Sequence, residues 1–114
     1  MGSILTSTKK MLGIPAAETS FDIDIITNIN AALIFVNLLG VGPDPSIFIT
    51  NETTDWTEFD QEVLGAVQTY VYLQVRLWFD PPQTSFTISA IENQIQALSW
   101  KLNVIGDKEV IVDE

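Results

Sequence analysis

The chain contains no cysteine and no histidine. The first absence excludes disulfides, thiolate metal sites and a cysteine nucleophile. The second removes the commonest general base and the commonest transition-metal ligand. Positive charge is also scarce. Five basic residues stand against fifteen acidic ones, a formal net charge of −10 over 114 residues. So few dispersed cations cannot neutralise many phosphates, which disfavours binding to nucleic acid or to an anionic membrane surface. Long apolar runs are missing too. The longest, residues 31–36, falls far short of the ~20 apolar residues that a spanning helix needs. The N-terminal residues lack the charged-then-apolar order of a signal peptide. What the chain does have is 46% hydrophobic residues, enough for one folded domain with a real core.

The segment 56–82, WTEFDQEVLGAVQTYVYLQVRLWFDPP, organises the rest. Trp56, Phe59, Val63, Ala66, Tyr70, Leu73 and Leu77 recur at alternating spacings of three and four, which predicts one face of a long helix. Leu64, Val67, Val71 and Trp78 form a second line beside it, so the helix should touch neighbours over much of its circumference. Thr54 or Asp55 is the expected cap. Pro81 and Pro82 should end the helix near Phe79 or Asp80.

Three more helices are predicted. The first spans about residues 3–13, with Ser3 as cap, Lys9 and Lys10 at its negative end and Gly13 just past it. The second starts at a capping Asp22 and stops at Gly40. Ile26, Ile29, Leu33 and Val36 form its main stripe, and Asn28, Asn30 and Asn37 its wetter side. Its last turns, AALIFVNLLG, are apolar nearly all round and need cover on two sides, within the domain or from another subunit. The last helix, 86–103 with Ser85 as cap, carries Ile88, Ile91, Ile95, Leu98 and Leu102 on a narrow seam that suits antiparallel packing on the long helix. Residues 47–50 are β-prone but too few to imply a sheet. The expected fold is therefore all-α, a small bundle of about four helices in a domain of residues 1–103, with an extended C-terminal tail at 104–114.

No motif carries catalysis. Asp22 with Asp24, and Asp55 with Glu58, lack the offsets of a calcium loop and read as caps and solvated surface. The GVG at 40–42 lacks the lysine and hydroxyl residue of a phosphate loop. No catalytic, cofactor-binding or metal-binding residue is assigned, and no enzyme activity is expected.

The candidate functional residues are therefore surfaces. Arg76 can pair with Asp80 four residues on, or meet a neighbouring subunit, where arginine is enriched. Asp80, Pro81 and Pro82 form a rigid corner that sets the angle of the last helix and can also face a partner. In the tail, Val104, Ile105, Val110, Ile111 and Val112 lack helical spacing and suit strand addition to a partner.

The ordered set MLGIP, FDIDIITNIN, LGVGP, DW before a long helix, VRLWFDPP, SF and WKLN resembles the small head–tail connector (adaptor) proteins of tailed bacteriophages and prophages. The resemblance runs from about Lys10 to Asn103, and RLWFDPP is its most specific part. It implies a helical structural protein of the virion that binds beneath the portal ring after genome packaging. It also implies assembly in the host cytoplasm as a homo-oligomer, typically a dodecameric ring. That ring would pass DNA through its lumen without binding it specifically. It would extend the DNA channel and offer a platform to a stopper or tail-completion protein. The same resemblance implies that residues 104–114 reach the portal protein. The rival expectation is a small acidic interaction or inhibitor protein that mimics the charge of DNA. Clustering of the acids on one continuous face would distinguish it.

Overall fold

A computed structural model describes residues 2–112, with side chains through residue 106. Four helices follow one another: α1 (Ile4–Met11), α2 (Asp22–Leu38), α3 (Gln61–Phe79) and α4 (Ser85–Val112). Among the described residues the only β-pairing is an isolated bridge between Ser3 and Asp55. The fold is all-α, as expected from the helical periodicities.

Helix α3 lies between α2 and α4 and packs on both. Its buried residues Val63, Leu64, Val67, Tyr70, Val71, Leu73 and Val75 cover both predicted lines. α2 supplies Ile25, Ile29, Ala32, Leu33 and Val36 to the same core. On α4 the predicted seam is the one that packs: Ile95 and Leu102 are buried, and Ile88, Ile91 and Leu98 are half-buried. Residues 80–84 join the two long helices in a connection short enough to set them side by side.

The long helix starts later than its apolar periodicity implies. α3 begins at Gln61 with Asp60 in the cap position, and Trp56 and Phe59 lie in the turn before it. Two interactions hold residues 54–57 out of the helix. The Ile4 amide donates to the Thr54 carbonyl at 2.9 Å. The Asp55 carboxylate accepts from the Thr57 amide and hydroxyl at 3.1 and 2.6 Å, a local turn that competes with helical hydrogen bonding. Trp56 and Phe59 still enter the core, with ring centroids 6.1 Å apart. The Trp56 indole donates to Ser7 Oγ at 2.9 Å, so the turn is stitched to α1.

α1 forms as its ends dictate. Ser3 Oγ accepts from the Thr6 amide at 2.9 Å, and Gly13 takes a positive φ of 82° just past the C-terminus. Lys9 does more than complement the helix dipole. It is buried, and its ammonium donates to the Ala16 and Glu18 carbonyls and to Asp22 Oδ1, the last at 2.7 Å. All three ammonium donors are thus used, and the lysine ties α1 to the start of α2. Asp22 therefore serves Lys9 rather than capping α2, whose cap residue is Phe21 with no side-chain hydrogen bond.

Three further expectations are corrected. Asn30 is buried rather than on a wet side: its amide donates to the Ile49 carbonyl at 3.0 Å and its Oδ1 accepts from the Ile49 amide at 2.8 Å. The β-prone run 47–50 satisfies its central residue on that side chain in place of a neighbouring strand. At the start of α4, Thr84 accepts from the Thr87 amide at 3.2 Å and so caps the helix one residue before Ser85. Finally, α4 does not stop at Asn103. It continues through Val112, so residues 104–112 are helical rather than extended. Branched residues there carry only a small helix penalty, and no proline interrupts them.

Candidate interaction surface

Helix α2 is apolar on more sides than the core can cover. Ile25, Ile29, Leu33 and Val36 face inward, yet Ile23 is 80% and Leu38 71% exposed, with Ile34 and Phe35 also at the surface. Beside them Phe48 is 69% exposed, because the Asn30–Ile49 pairing turns its neighbour outward. Ile23, Ile26, Ala31, Ile34 and Phe48 line a groove of ≈ 490 Å³ between α2 and residues 48–50. The second flank of α2 is aromatic. Phe35 lies 6.1 Å from Trp78, and Phe21 meets Phe79 edge-on at 5.6 Å. Asp24 and Asn28 line the hollow between Phe21 and Trp78 and give it a polar rim.

Of the residues chosen from the sequence, Arg76, Asp80, Pro81 and Pro82 lie at or just past the end of α3 that carries Trp78 and Phe79. Arg76 is half-buried, its Nη1 sits 3.5 Å from Tyr72 Oη, and its Nε is buried without a hydrogen-bond partner. The Arg76–Asp80 ion pair is absent: among the described residues the one salt bridge is Lys9–Asp22. The chain leaves the helix at Asp80, with φ −144° and ψ 70°, so the ladder that would hold the two side chains one above the other ends there. Asp80 and Pro81 are exposed and Pro82 is half-buried. Val104 and Ile105 lie far along α4 from that corner, Val104 exposed and Ile105 packed on the core. The side chains of Val110, Ile111 and Val112 lie outside those described.

The sequence marked the apolar last turns of α2, which hold Ile34 and Leu38, as needing cover from the domain or another subunit; it did not mark the surface residues Ile23, Phe48, Phe86 and Trp100. Their signal is present but faint. Each occupies a helix or loop position that the core stripes do not need, and only the fold leaves it uncovered. Among the described residues no group of three or more acidic side chains converges to hold a metal ion, and no helix is long and apolar enough to cross a membrane. Two carboxylates titrate below their ordinary range. Asp55 is lowered by the Thr57 hydroxyl and amide, and Glu18 by the Ser20 hydroxyl and amide. Both are local turns at the surface and neither faces a cavity.

What the arrangement offers is adhesion. Apolar faces on α2, an aromatic flank rimmed by Asp24 and Asn28, and a strongly negative total charge suit a protein that works by contact with other proteins. No curated protein and no solved structure matches the chain. Residues 4–109, however, match the family described as phage connector protein. That span covers all of α1, α2 and α3 and most of α4, and the chain belongs to the phage connector protein family.

Proposed function

We propose that this chain is a head–tail connector (adaptor) subunit, a structural component of the virion at the head–tail interface. In this reading copies form a ring beneath the portal, extend the DNA channel and offer a platform to the stopper or tail-completion protein. The observation that carries it is the uncovered apolar surface of α2, with Ile23, Ile34 and Leu38 exposed in a chain that belongs to the connector family. A monomer gains nothing from such a surface, and a subunit buries it. The −10 charge fits a lumen that must release DNA. The acids are spread over helix starts and loops, with Asp22 spent on Lys9 and Asp55 on Thr57, which argues against a charge mimic of DNA.

The test is deletion of the gene in its phage, followed by electron microscopy of the particles. The expected outcome is DNA-filled heads without tails, and rings of the purified protein seated on isolated portal. Normal tailed particles lacking this protein would refute the reading.

A further inference from the structure

Helix α4 carries two seams. The inner one, Ile91, Ile95, Leu98 and Leu102, packs on the core. Phe86, Ala90, Asn93, Ala97, Trp100 and Val104 repeat at spacings of four and three along the opposite side, and all six are exposed. Phe86 is 84% and Trp100 71% exposed. A strict four-three repeat is the pattern of a helix that meets a second helix along its length. Small residues at Ala90 and Ala97 let that helix come close, and the aromatic residues at the ends supply anchors.

A partner surface of matching length exists on this same chain. The outer face of α2 carries Ile23, Thr27, Ala31, Ile34 and Leu38, beside the groove that Phe48 borders. At ~1.5 Å per residue, the α4 seam is about 27 Å long and the α2 face about 22 Å. α2 and α4 flank α3, so the two surfaces cannot meet within one copy.

Charge points the same way. Two copies at −10 each repel unless a cation lies in the contact. Among the described side chains the exposed cations are Lys10 and Lys101, and Lys101 sits on α4 next to Trp100. The first turn of α2 carries Asp22 and Asp24, of which Asp24 is exposed and Asp22 is held by Lys9. An antiparallel pairing brings the Lys101 end of α4 to the Asp24 end of α2.

We propose that the outer seam of α4 packs antiparallel along the outer face of α2 of a second copy, with Trp100 in the groove bordered by Phe48. The two surfaces differ, so the contact is head-to-tail and each added copy leaves both surfaces free at the ends. This gives a residue-level interface to the side-by-side assembly proposed above, on which it rests.

The chain has no cysteine, which makes cross-linking clean. Thr27→Cys and Ala97→Cys, both at exposed positions, come into register in the antiparallel pairing. The doubly substituted chain, oxidised at about 1 mM so that even weak association is populated, is expected to give a ladder of disulfide-linked multimers. Each single variant stays at most a minor dimer, and a mixture of the two singles gives dimers only. Thr27→Cys with Ala90→Cys, out of register, should give no ladder. Trp100→Ala added to the in-register pair should abolish the ladder while the circular dichroism is unchanged, because Trp100 lies outside the core. Absence of the in-register ladder overturns the interface, whether the chain then runs as a monomer or as a larger species. So does an equal ladder from the out-of-register pair. The connector reading fails separately, if tailed particles form without the protein. A ladder in that case leaves the interface standing in some other assembly.

Discussion

Gly106 in α4 rests with its backbone directly on that of Gly40, the residue just past α2. A Cβ on Gly106 would meet the Leu39 carbonyl oxygen and would come within 2.8 Å of the Gly40 Cα. A Cβ on Gly40 would lie 3.0 Å from the Gly106 Cα, and Gly40 also holds a positive φ of 90°. The C-terminal end of α2 thus meets α4 through two glycines, with no side chain between them. Here the helix cost of Gly106, about 1 kcal/mol relative to alanine, is offset by a contact that no other residue permits.

Gly106→Ala should therefore destabilise the protein although alanine is the better helix former. Backbone atoms cannot rotate aside, so α4 must shift, at a cost of about 1–3 kcal/mol. Gly65→Ala in α3 is the control, because a Cβ there meets nothing within 4 Å. It should stabilise by about 0.5–1 kcal/mol. Urea unfolding of the two variants checks the pair of opposite signs. Equal shifts would show that the Gly40 contact does not exist in solution.

Asn30 predicts a large effect from a single polar side chain. It pairs with both backbone groups of Ile49, whose own side chain is fully buried. Asn30→Leu leaves a buried amide and a buried carbonyl without partners. At about 1–3 kcal/mol for each stranded group, the loss should be a large share of the total stability of a domain this size. Asn30→Asp keeps the acceptor but sets a second carboxylate oxygen against the Ile49 carbonyl in a buried site, so it should also be less stable than the parent. Thermal melts rank the three proteins. If leucine is tolerated as well as asparagine, the 47–50 segment is not held by this side chain.

Lys9→Met tests the tie between α1 and α2. Methionine keeps the buried stem and removes the ammonium that satisfies Ala16, Glu18 and Asp22. The expected loss is about 2–3 kcal/mol, in the range for hydrogen bonds to a charged group. Asp22 is partly open to water, with 23% side-chain exposure, so Asp22→Asn should cost less than Lys9→Met. In the double variant the two effects should not add, because both act on one contact. Additive losses would place the lysine's role elsewhere.

The helices, their number and most of the core were legible in the sequence, for a definite reason. Val63, Tyr70, Leu73, Ile95 and Leu102 repeat at helical spacing, and burial follows spacing wherever a helix packs on a helix. Polar residues were misread where a long-range partner recruits them. Asn30 and Lys9 look like surface residues until Ile49 and Asp22 are brought beside them by the fold. The end of α4 was missed because Val104, Ile105, Val110, Ile111 and Val112 lack helical spacing, and the contact of Gly106 with Gly40 that holds this part of α4 joins residues 66 positions apart in the chain. The interaction surface was the least legible part. Arg76, Pro81 and Pro82 stood out by residue type, whereas Ile23, Phe48 and Trp100 stand out only by being uncovered.

The late start of α3 leads to a prediction about acid. Asp55 lies in the turn that holds Trp56 against α1, and Thr57 donates to its carboxylate from both hydroxyl and amide. Those bonds favour the charged form and hold the Asp55 carboxyl below the ordinary 3.8. In the unfolded chain the group binds a proton at higher pH than in the folded one. The contribution to stability is therefore fully present above about pH 4 and is lost as pH falls through the lowered folded value. An NMR titration should show Asp55 titrating below the ordinary 3.8. Thr57→Val removes the hydroxyl donor and should move that titration back toward 3.8. Asp55→Asn should flatten the acid side of the stability profile. If Asp55 titrates at the ordinary 3.8 in the parent protein, the turn that delays α3 must be held by the Ile4–Thr54 bond instead.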